Sequence, residues 1–406
     1  MKSAVFFVYV WPEARSSAAG VRTHDLLRWL LSDGWKITAV SSSKPSQYSE
    51  ELEKMGIAVS TCAANEASQD EFLRALAPAL VLFDRFVMEE QFGWKAREFW
   101  PNALVLVDTQ DLHSVRRARE ALLKKNASPE EILRLPNLGL SDDMVRELSS
   151  LHRADGAIVV SSWEADFLRA RFQFPAENLL HLPLMGRPDE SPFPREGRQG
   201  FAFLGNFRHA PNLDGILWFI AEIWPRWRAL NKTAELHLYG AYPPAHISFH
   251  AGKNGIHAHG PVADHRAALK KHEALVAPLR FGAGIKGKIL EAWGTGTPVI
   301  GTPLAFEGMC KPEDKAGVSF QDADGFIQAA GLGEAWSDFQ RNGFSVLRRD
   351  FAENILREKF LAFIEARASA IRQNGRVGIT GALLRHAQNN ATKYFSRWIE
   401  AKNKKS

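Results

Sequence analysis

The run Ala277-Pro-Leu-Arg-Phe-Gly-Ala-Gly-Ile-Lys-Gly-Lys-Ile-Leu-Glu-Ala-Trp-Gly294 decides how this chain is read. Ala274–Ala277 reads as a buried strand, three glycines follow, and Lys288–Gly294 reads as a helix. A glycine turn between strand and helix brings unpaired N–H groups together and lets a ligand approach the backbone. Lys286 and Lys288 add positive charge to the same turn. The combination predicts a site for a phosphate or a diphosphate.

Two familiar patterns compete for these residues. Gly282, Gly284 and Gly287 fit G-x-G-x-x-G, and Glu307 lies twenty residues past Gly287, as in a dinucleotide fingerprint. That fingerprint opens a fold, however, and the loop after the first strand, Trp11 to Ser17, has no glycine. Gly282 to Lys288 also fits the G-x-x-x-x-G-K of a nucleotide triphosphatase. Ile289 then stands where a Ser or Thr must hold Mg²⁺, and an aliphatic side chain cannot. A bare tight turn leaves the two lysines and three glycines of one loop unexplained.

Outward from this loop, short apolar runs alternate with helical patterns. Ala4–Val10, Lys36–Val40, Ile57–Ser60, Leu80–Phe83, Leu104–Val107 and Ala157–Val160 read as strands of a first half. Several lack period-two alternation, as strands buried on both faces do. Leu26, Leu27, Leu30 and Leu31 give Arg22–Ser32 an apolar helical stripe. A Pro- and Gly-rich stretch from Leu182 to Gly200, with Pro183, Gly186, Pro188, Pro192 and Pro194, reads as a linker. Alternation restarts with strands at Phe201–Leu204, Glu235–Tyr239, Gly255–Ala258, Ala274–Ala277, Pro298–Ile300 and Val318–Phe320. Helices are expected at Asn212–Arg228, Asp264–His272, Lys288–Gly294 and Asp324–Ala330. The expected class is α/β, with two parallel-sheet, Rossmann-like domains over residues 1–190 and 200–370 facing each other across a cleft.

A helical tail, 371–406, completes the chain. Leu384, Ala387, Ala391, Phe395 and Trp398 form its apolar stripe, expected to pack back on the first domain, with a membrane surface as second choice. From Arg372 onward it carries eight basic residues, Lys402, Lys404 and Lys405 among them, against the single acid Glu400. A solvated helix face explains that excess first, and contact with anionic lipid or an anionic acceptor second.

Composition sets the outer limits. The 406 residues are 45% hydrophobic and 24% charged, a globular balance with room for two or three domains. Two cysteines, Cys62 and Cys310, are too few for a disulfide scaffold and fit a reducing compartment, so a cytoplasmic protein is expected. A net charge of +5 gives no call for nucleic acid. The apolar start Ala4 to Trp11 reads as a buried strand rather than a signal peptide, because Pro12, Glu13 and Arg15 follow at once.

The glycine run resembles the donor site of retaining GT-B glycosyltransferases, specifically glycosyltransferase family 4, the group 1 family. The similarity extends from Val276 to Ala292, through Gly296-Thr-Pro-Val-Ile-Gly-Thr-Pro303, to Phe306-Glu-Gly308. Phe203-Leu-Gly-Asn-Phe-Arg-His-Ala-Pro-Asn212 is similar to the opening of the family's second domain, and Ala19-Gly-Val-Arg-Thr-His-Asp-Leu26 to its first glycine loop. The resemblance implies a nucleotide-diphosphate-sugar donor, no cofactor and no metal. Lys288 would neutralise the diphosphate, and N–H groups over Gly284, Ile285, Lys286 and Gly287 would hold phosphate oxygens or the sugar. Glu291 would accept ribose hydroxyls, and Gly20 would let the first domain approach the diphosphate. His113, at the carboxyl edge of the first sheet, would contact the donor sugar near the reaction centre; Asp111 reads as a helix cap.

Two positions depart from the family pattern. The first of its paired glutamates falls on Ala283, which leaves no carboxylate to grip the sugar there. Its usual arginine after the first strand of the second domain falls on Asn206, with Arg208, Arg280 or Lys286 as substitutes. The expectation is therefore a retaining transferase of hexosyl type acting on a glycan, lipid-linked or protein acceptor. A catalytically inactive nucleotide-binding or scaffold protein of the same fold is the alternative.

Overall fold

The computed structural model describes residues 2–15, 17–135, 139–190, 197–332, 336–376 and 378–403. Pro192, Pro194, Lys404 and Lys405 lie outside them. The first sheet has seven strands: β1 (Ser3–Phe7), β2 (Lys36–Ser41), β3 (Ala58–Thr61), β4 (Leu80–Asp84), β5 (Leu104–Asp108), β6 (Gly156–Val159) and β7 (Leu179–His181). They run in the order β3-β2-β1-β4-β5-β6-β7, with every pairing parallel. The second sheet has β8 (Phe201–Leu204), β9 (Leu236–Tyr239), β10 (Ile256–Gly260), β11 (Ala274–Ala277), β12 (Val299–Gly301) and β13 (Val318–Ser319). Its order is β10-β9-β8-β11-β12-β13, again parallel throughout. These are the two Rossmann-like domains expected from the alternation.

Helices cover both faces of each sheet, so each domain carries two apolar cores. Strands β4, β5 and β11 are buried at every residue, which is why their sequences show no alternation. Cys62 is buried, Cys310 is half-buried, and both are free thiols.

Five differences from the sequence reading bear on the architecture. Strand β1 stops at Phe7; Tyr9 and Val10 are exposed in the loop beyond it. Strand β7 is a three-residue edge, too short to stand out in the sequence. The expected single helix Asn212–Arg228 begins at Ala210 and passes through a π turn at Phe219–Ile223 before resuming as Trp224–Leu230. Pro225 lies two residues past that turn, and a proline has no N–H for the helical ladder and crowds the preceding carbonyls, so the turn widens ahead of it.

The fourth difference concerns the domain boundary placed at 370. The chain returns to the first domain near Phe351, where Gly186 N–H donates to the Phe351 carbonyl at 2.8 Å. Helix Glu353–Asn374 then buries Leu356, Phe360 and Ile364 against Trp29, Leu106 and Ile158. Each such side chain contributes about 1.5–3 kcal/mol by leaving water. The first domain therefore comprises the beginning and the end of the chain. The linker side is fixed too: Arg22 is buried in a bidentate pair with Asp108, and its Nη1 donates to the carbonyls of Leu182 and Pro183 at 2.7 and 3.1 Å.

The tail packs on the first domain by another face than its apolar stripe. Gly381, Gln388 and Ser396 are buried, while Phe395 and Trp398 are 61% and 57% exposed. A Cβ on Gly381 would meet the His152 carbonyl at 2.6 Å, so the helix sits too close for any larger residue. Gln388 Nε2 donates to the Glu89 and Glu90 carbonyls, both at 3.3 Å. A π turn at Asn389–Lys393 also shifts the register, which a stripe drawn at uniform helical spacing cannot foresee. Among the described residues no helix is long and apolar enough to cross a membrane.

Candidate functional site

Strand order reverses between β1 and β4 in the first sheet and between β8 and β11 in the second. The crevice beyond the strand ends at such a switch point is where open α/β sheets bind ligands. The loops leaving β1, β8 and β11 meet there across the cleft. A Cβ built on Gly287 would lie 3.1 Å from the Ala18 Cβ. Gly287 begins the helix Gly287–Gly294 and Ala18 begins the helix Ala18–Ser32. Two helix starts thus face one place, and their partial positive charges add. Gly20, one turn from this meeting, packs on the Glu13 backbone with no room for a side chain. Its N–H donates to the capping Ser17 Oγ at 3.0 Å.

Lys288 stands at the junction. Its Nζ donates to Asn212 Oδ1 at 2.6 Å and lies 4.6 Å from the Phe203 ring centre. Asn212 Nδ2 donates in turn to the Asn206 carbonyl at 3.0 Å. The second domain's opening motif therefore positions the lysine. Burial pushes the Lys288 amine down to about 7.

The preceding residues have a different role. Lys286 is buried, and its Nζ donates to the Gly284 carbonyl at 2.9 Å, so it braces the loop from within. Burial pushes its amine down to about 8. Ile285 is part of the apolar core. Gly284 takes a positive φ of 65°, and a Cβ there would lie 2.9 Å from the Asp111 Cβ. Only glycine meets both demands. Its N–H donates to Glu164 Oε1 at 2.9 Å, and the same oxygen accepts the Leu112 N–H at 2.8 Å. One first-domain carboxylate thus ties together the loops of both domains.

His113 begins the helix His113–Lys124 and lies across from that loop. Its Nε2 is 3.3 Å from Asp111 Oδ1, and its ring meets Phe86 edge-on at 5.6 Å. Burial pushes the imidazole down to about 4, so it is neutral at physiological pH. Asp111 also binds Arg116. Its expected capping role goes to Glu147, whose carboxylate accepts the His113 and Ser114 N–H groups at 3.0 and 3.2 Å. His209, which the sequence reading passed over inside its quoted motif, feels the charges of Asp111, Arg116 and Lys288.

Two candidate residues are held by partners outside the glycine loop. Glu291 accepts Arg266 Nη1 at 2.8 Å and lies 3.5 Å from His265 Nε2. Burial opposes its charge, yet His265 and Arg266 hold its carboxyl below the usual range. Arg266 also binds Asp189, so Glu291 is coupled to the linker. Arg208 is exposed and stacks on Tyr242, 3.6 Å from the ring centre. Of the proposed substitutes for the missing arginine, Arg280 is also committed, in a two-bond pair with Asp214.

Arg119, on the helix His113–Lys124, is fully buried. It donates to the Gly282 carbonyl at 2.9 Å and to both Glu307 oxygens at 2.8 and 2.7 Å. Glu307, counted above toward a dinucleotide motif, is the anchor of this bridge. An apolar cavity of about 800 Å³ opens between the domains, with the Leu279–Phe281 run that leads into the glycine loop as one wall.

Residues 198–331 match the family model described as Glycosyl transferases group 1. No curated protein matches the chain as a whole by sequence. Among solved structures, a sucrose-phosphate synthase from Thermosynechococcus elongatus superposes with a TM-score of 0.67 at 16% identity, covering 91% of this chain and 100% of that one. TarM gives 0.66 at 10% identity over 90% and 99%. Anabaena HepE, solved in complex with UDP and glucose, gives 0.63 at 11% identity over 90% and 100%. These likenesses establish a shared GT-B architecture.

Proposed function

Residues 198–331 match the model of the group 1 glycosyl transferases, and from that premise we propose that this chain is a retaining glycosyltransferase. It moves a hexosyl group from a nucleotide-diphosphate sugar to an acceptor hydroxyl in glycan or glycoconjugate synthesis. The observation that carries this reading is the meeting of two helix starts beside Lys288. As the glycosidic bond breaks, negative charge grows on the departing diphosphate. Fixed N–H dipoles and an amine at that place stabilise the transition state more than the ground state. The donor is held by the N–H groups of the helix start at Gly287 and by Lys288, because the Gly284 and Lys286 N–H groups are taken by Glu164 and Met309; neutral His113 hydrogen-bonds the sugar. The departing phosphate takes the acceptor's proton. Because Lys288 and the helix starts carry the charge, the reaction needs no metal, and added Mg²⁺ or Mn²⁺ is expected to leave the rate unchanged.

The neighbours support the donor class: HepE was solved with UDP and glucose, and S. aureus TarM with UDP and α-GlcNAc-glycerol. Glu291, whose Oε2 is tied to Arg266, is the ribose acceptor through its other oxygen. The exposed Phe395 and Trp398, with Lys402 over the Trp398 ring, favour peripheral contact of this cytoplasmic enzyme with an anionic membrane. Co-sedimentation with anionic vesicles, lost in the double variant Phe395→Ala/Trp398→Ala, tests that contact.

The main test is a thermal-shift screen of UDP-, GDP-, ADP- and dTDP-sugars, followed by assay of donor hydrolysis. Stabilisation by one nucleotide class with slow hydrolysis of its sugar is expected. Ordinary nucleotide affinity without turnover of any donor would instead mark an inactive scaffold.

A further inference from the structure

The outer edge of the second sheet carries a group of side chains that sugar transfer does not use. Strands β9 and β10 are parallel neighbours with His237 opposite His257. Side chains two apart on a strand share a face, which puts Glu235 beside His237 opposite His257; the register shifts between Ala258 and Gly260, and His259 reaches the same side by stacking on His237 at 5.2 Å. The His237 and His257 rings stack at 4.7 Å. Glu235 reaches both: its Oε2 lies 3.3 Å from His237 Nε2 and its Oε1 lies 3.5 Å from His257 Nε2. One ligand atom from each of the three lies within 4.8 Å of the others.

We propose that Glu235, His237 and His257 form a binding site for a divalent transition-metal ion of the zinc class, with His259 as the outer partner that orients the His237 ring. Each imidazole nitrogen lies near the spacing of neighbouring ligands around a tetrahedral ion, but from a different oxygen of Glu235, so the carboxylate must turn to present one oxygen to the ion. Two nitrogens and one oxygen suit such an ion, and the half-exposed face leaves the fourth position to water. The two rings are only 18° from parallel, so one of them must tilt to converge on the ion. His257, 40% exposed, is free to do so. The outer contact is already present: His237 Nδ1 lies 2.9 Å from His259 Nε2. A metal-bound imidazole normally donates its second N–H in this way, which fixes its tautomer. His259 in turn stacks on Tyr239 at 4.6 Å. An ion here would join the edge strand β10 to β9 at a point remote in sequence from the glycine loop.

The test uses the full chain without an affinity tag, freed of metal by chelator and dialysis, and titrated with Zn²⁺ by calorimetry and with Co²⁺ by visible absorption. One equivalent should bind, Co²⁺ should show the intense band of a tetrahedral site, and Zn²⁺ should raise Tm by roughly 3–6 °C at saturation. His257→Ala and Glu235→Gln should abolish that equivalent, and both positions are exposed enough to leave the fold intact. His259→Ala should weaken binding about 10–100-fold without changing its stoichiometry. Absence of a one-equivalent site in the wild-type chain, or uptake unchanged in His257→Ala and Glu235→Gln, would overturn the proposal and leave an ordinary carboxylate-bridged histidine pair. The readout is ion binding, so it stands or falls independently of sugar transfer.

Discussion

The glycine loop has two halves built for different ends. In residues 282–286 the polar groups are engaged by the protein itself: the Gly282 carbonyl by Arg119, the Gly284 N–H by Glu164, and the Gly284 carbonyl by Lys286. At Gly287 and Lys288 the N–H groups precede the helical ladder, which opens with the Ile289 N–H donating to the Lys286 carbonyl at 2.8 Å, and the Lys288 amine is held by one neutral amide. The first half is scaffold and the second is kept for a ligand. Two lysines two residues apart therefore carry the same charge with unlike purposes, and only their partners reveal it.

The largest effect should come from breaking the scaffold. Arg119→Ala leaves Glu307 and the Gly282 carbonyl buried without their cation, at a cost of about 3–5 kcal/mol. A lowered denaturation midpoint will show it; an unchanged midpoint with lost activity would move Arg119 to the ligand half. Next, Lys288→Ala should lower transfer about 10²–10³-fold and weaken nucleotide-diphosphate binding, with the denaturation midpoint within error of wild type. Unchanged steady-state kinetics would remove its phosphate role. The same amine predicts a pH profile. Its free-state value near 7 must rise when an anion binds, so affinity for a nucleoside diphosphate is level below pH 7 and falls above it. Calorimetry at pH 6, 7 and 8 reads this, and Lys288→Ala should flatten it.

His113→Ala should lower turnover about tenfold, the worth of one hydrogen bond, with a smaller change in donor affinity. If Tm falls instead, the histidine is structural. The smallest effect belongs to Glu164, whose carboxyl burial pushes up to about 8. Among the described residues its Oε2 has no hydrogen-bond partner, as fits a protonated acid. The folded state then binds this proton more tightly than the unfolded one, so stability is lost as pH rises from about 4.5 toward 8. Glu164→Gln should reduce that slope in Tm against pH, and an unaltered slope would assign it to other groups.

Much of this was legible in the sequence because it is local. Strands β8 and β11 have the limits that their apolar runs suggested, and the anion-binding character of the glycine turn follows from residues that are neighbours in the chain. What stayed hidden is what the fold joins across distance. Arg119 and Glu307 are 188 residues apart, and Glu164 and Gly284 are 120 apart. Asn212 stood inside a quoted motif, but nothing there showed that it holds Lys288. Glu291 illustrates the reverse: its place on the helix was clear, while its engagement by Arg266 needed the linker's path. The tail misled because its apolar stripe assumed an even helical pitch, and Gly381 and Gln388, which make the contact, have no hydrophobic signal.

The return of helix Glu353–Asn374 to the first sheet also sets an order of events during synthesis. When residue 190 leaves the ribosome, all seven strands of the first sheet have been made, but the surface that receives Leu356, Phe360 and Ile364 is bare. At about 5–20 residues per second, it waits roughly 10–30 seconds for its cover. Through that interval the nascent chain presents an oily face that invites chaperones, and a message truncated before codon 353 would leave it permanently uncovered.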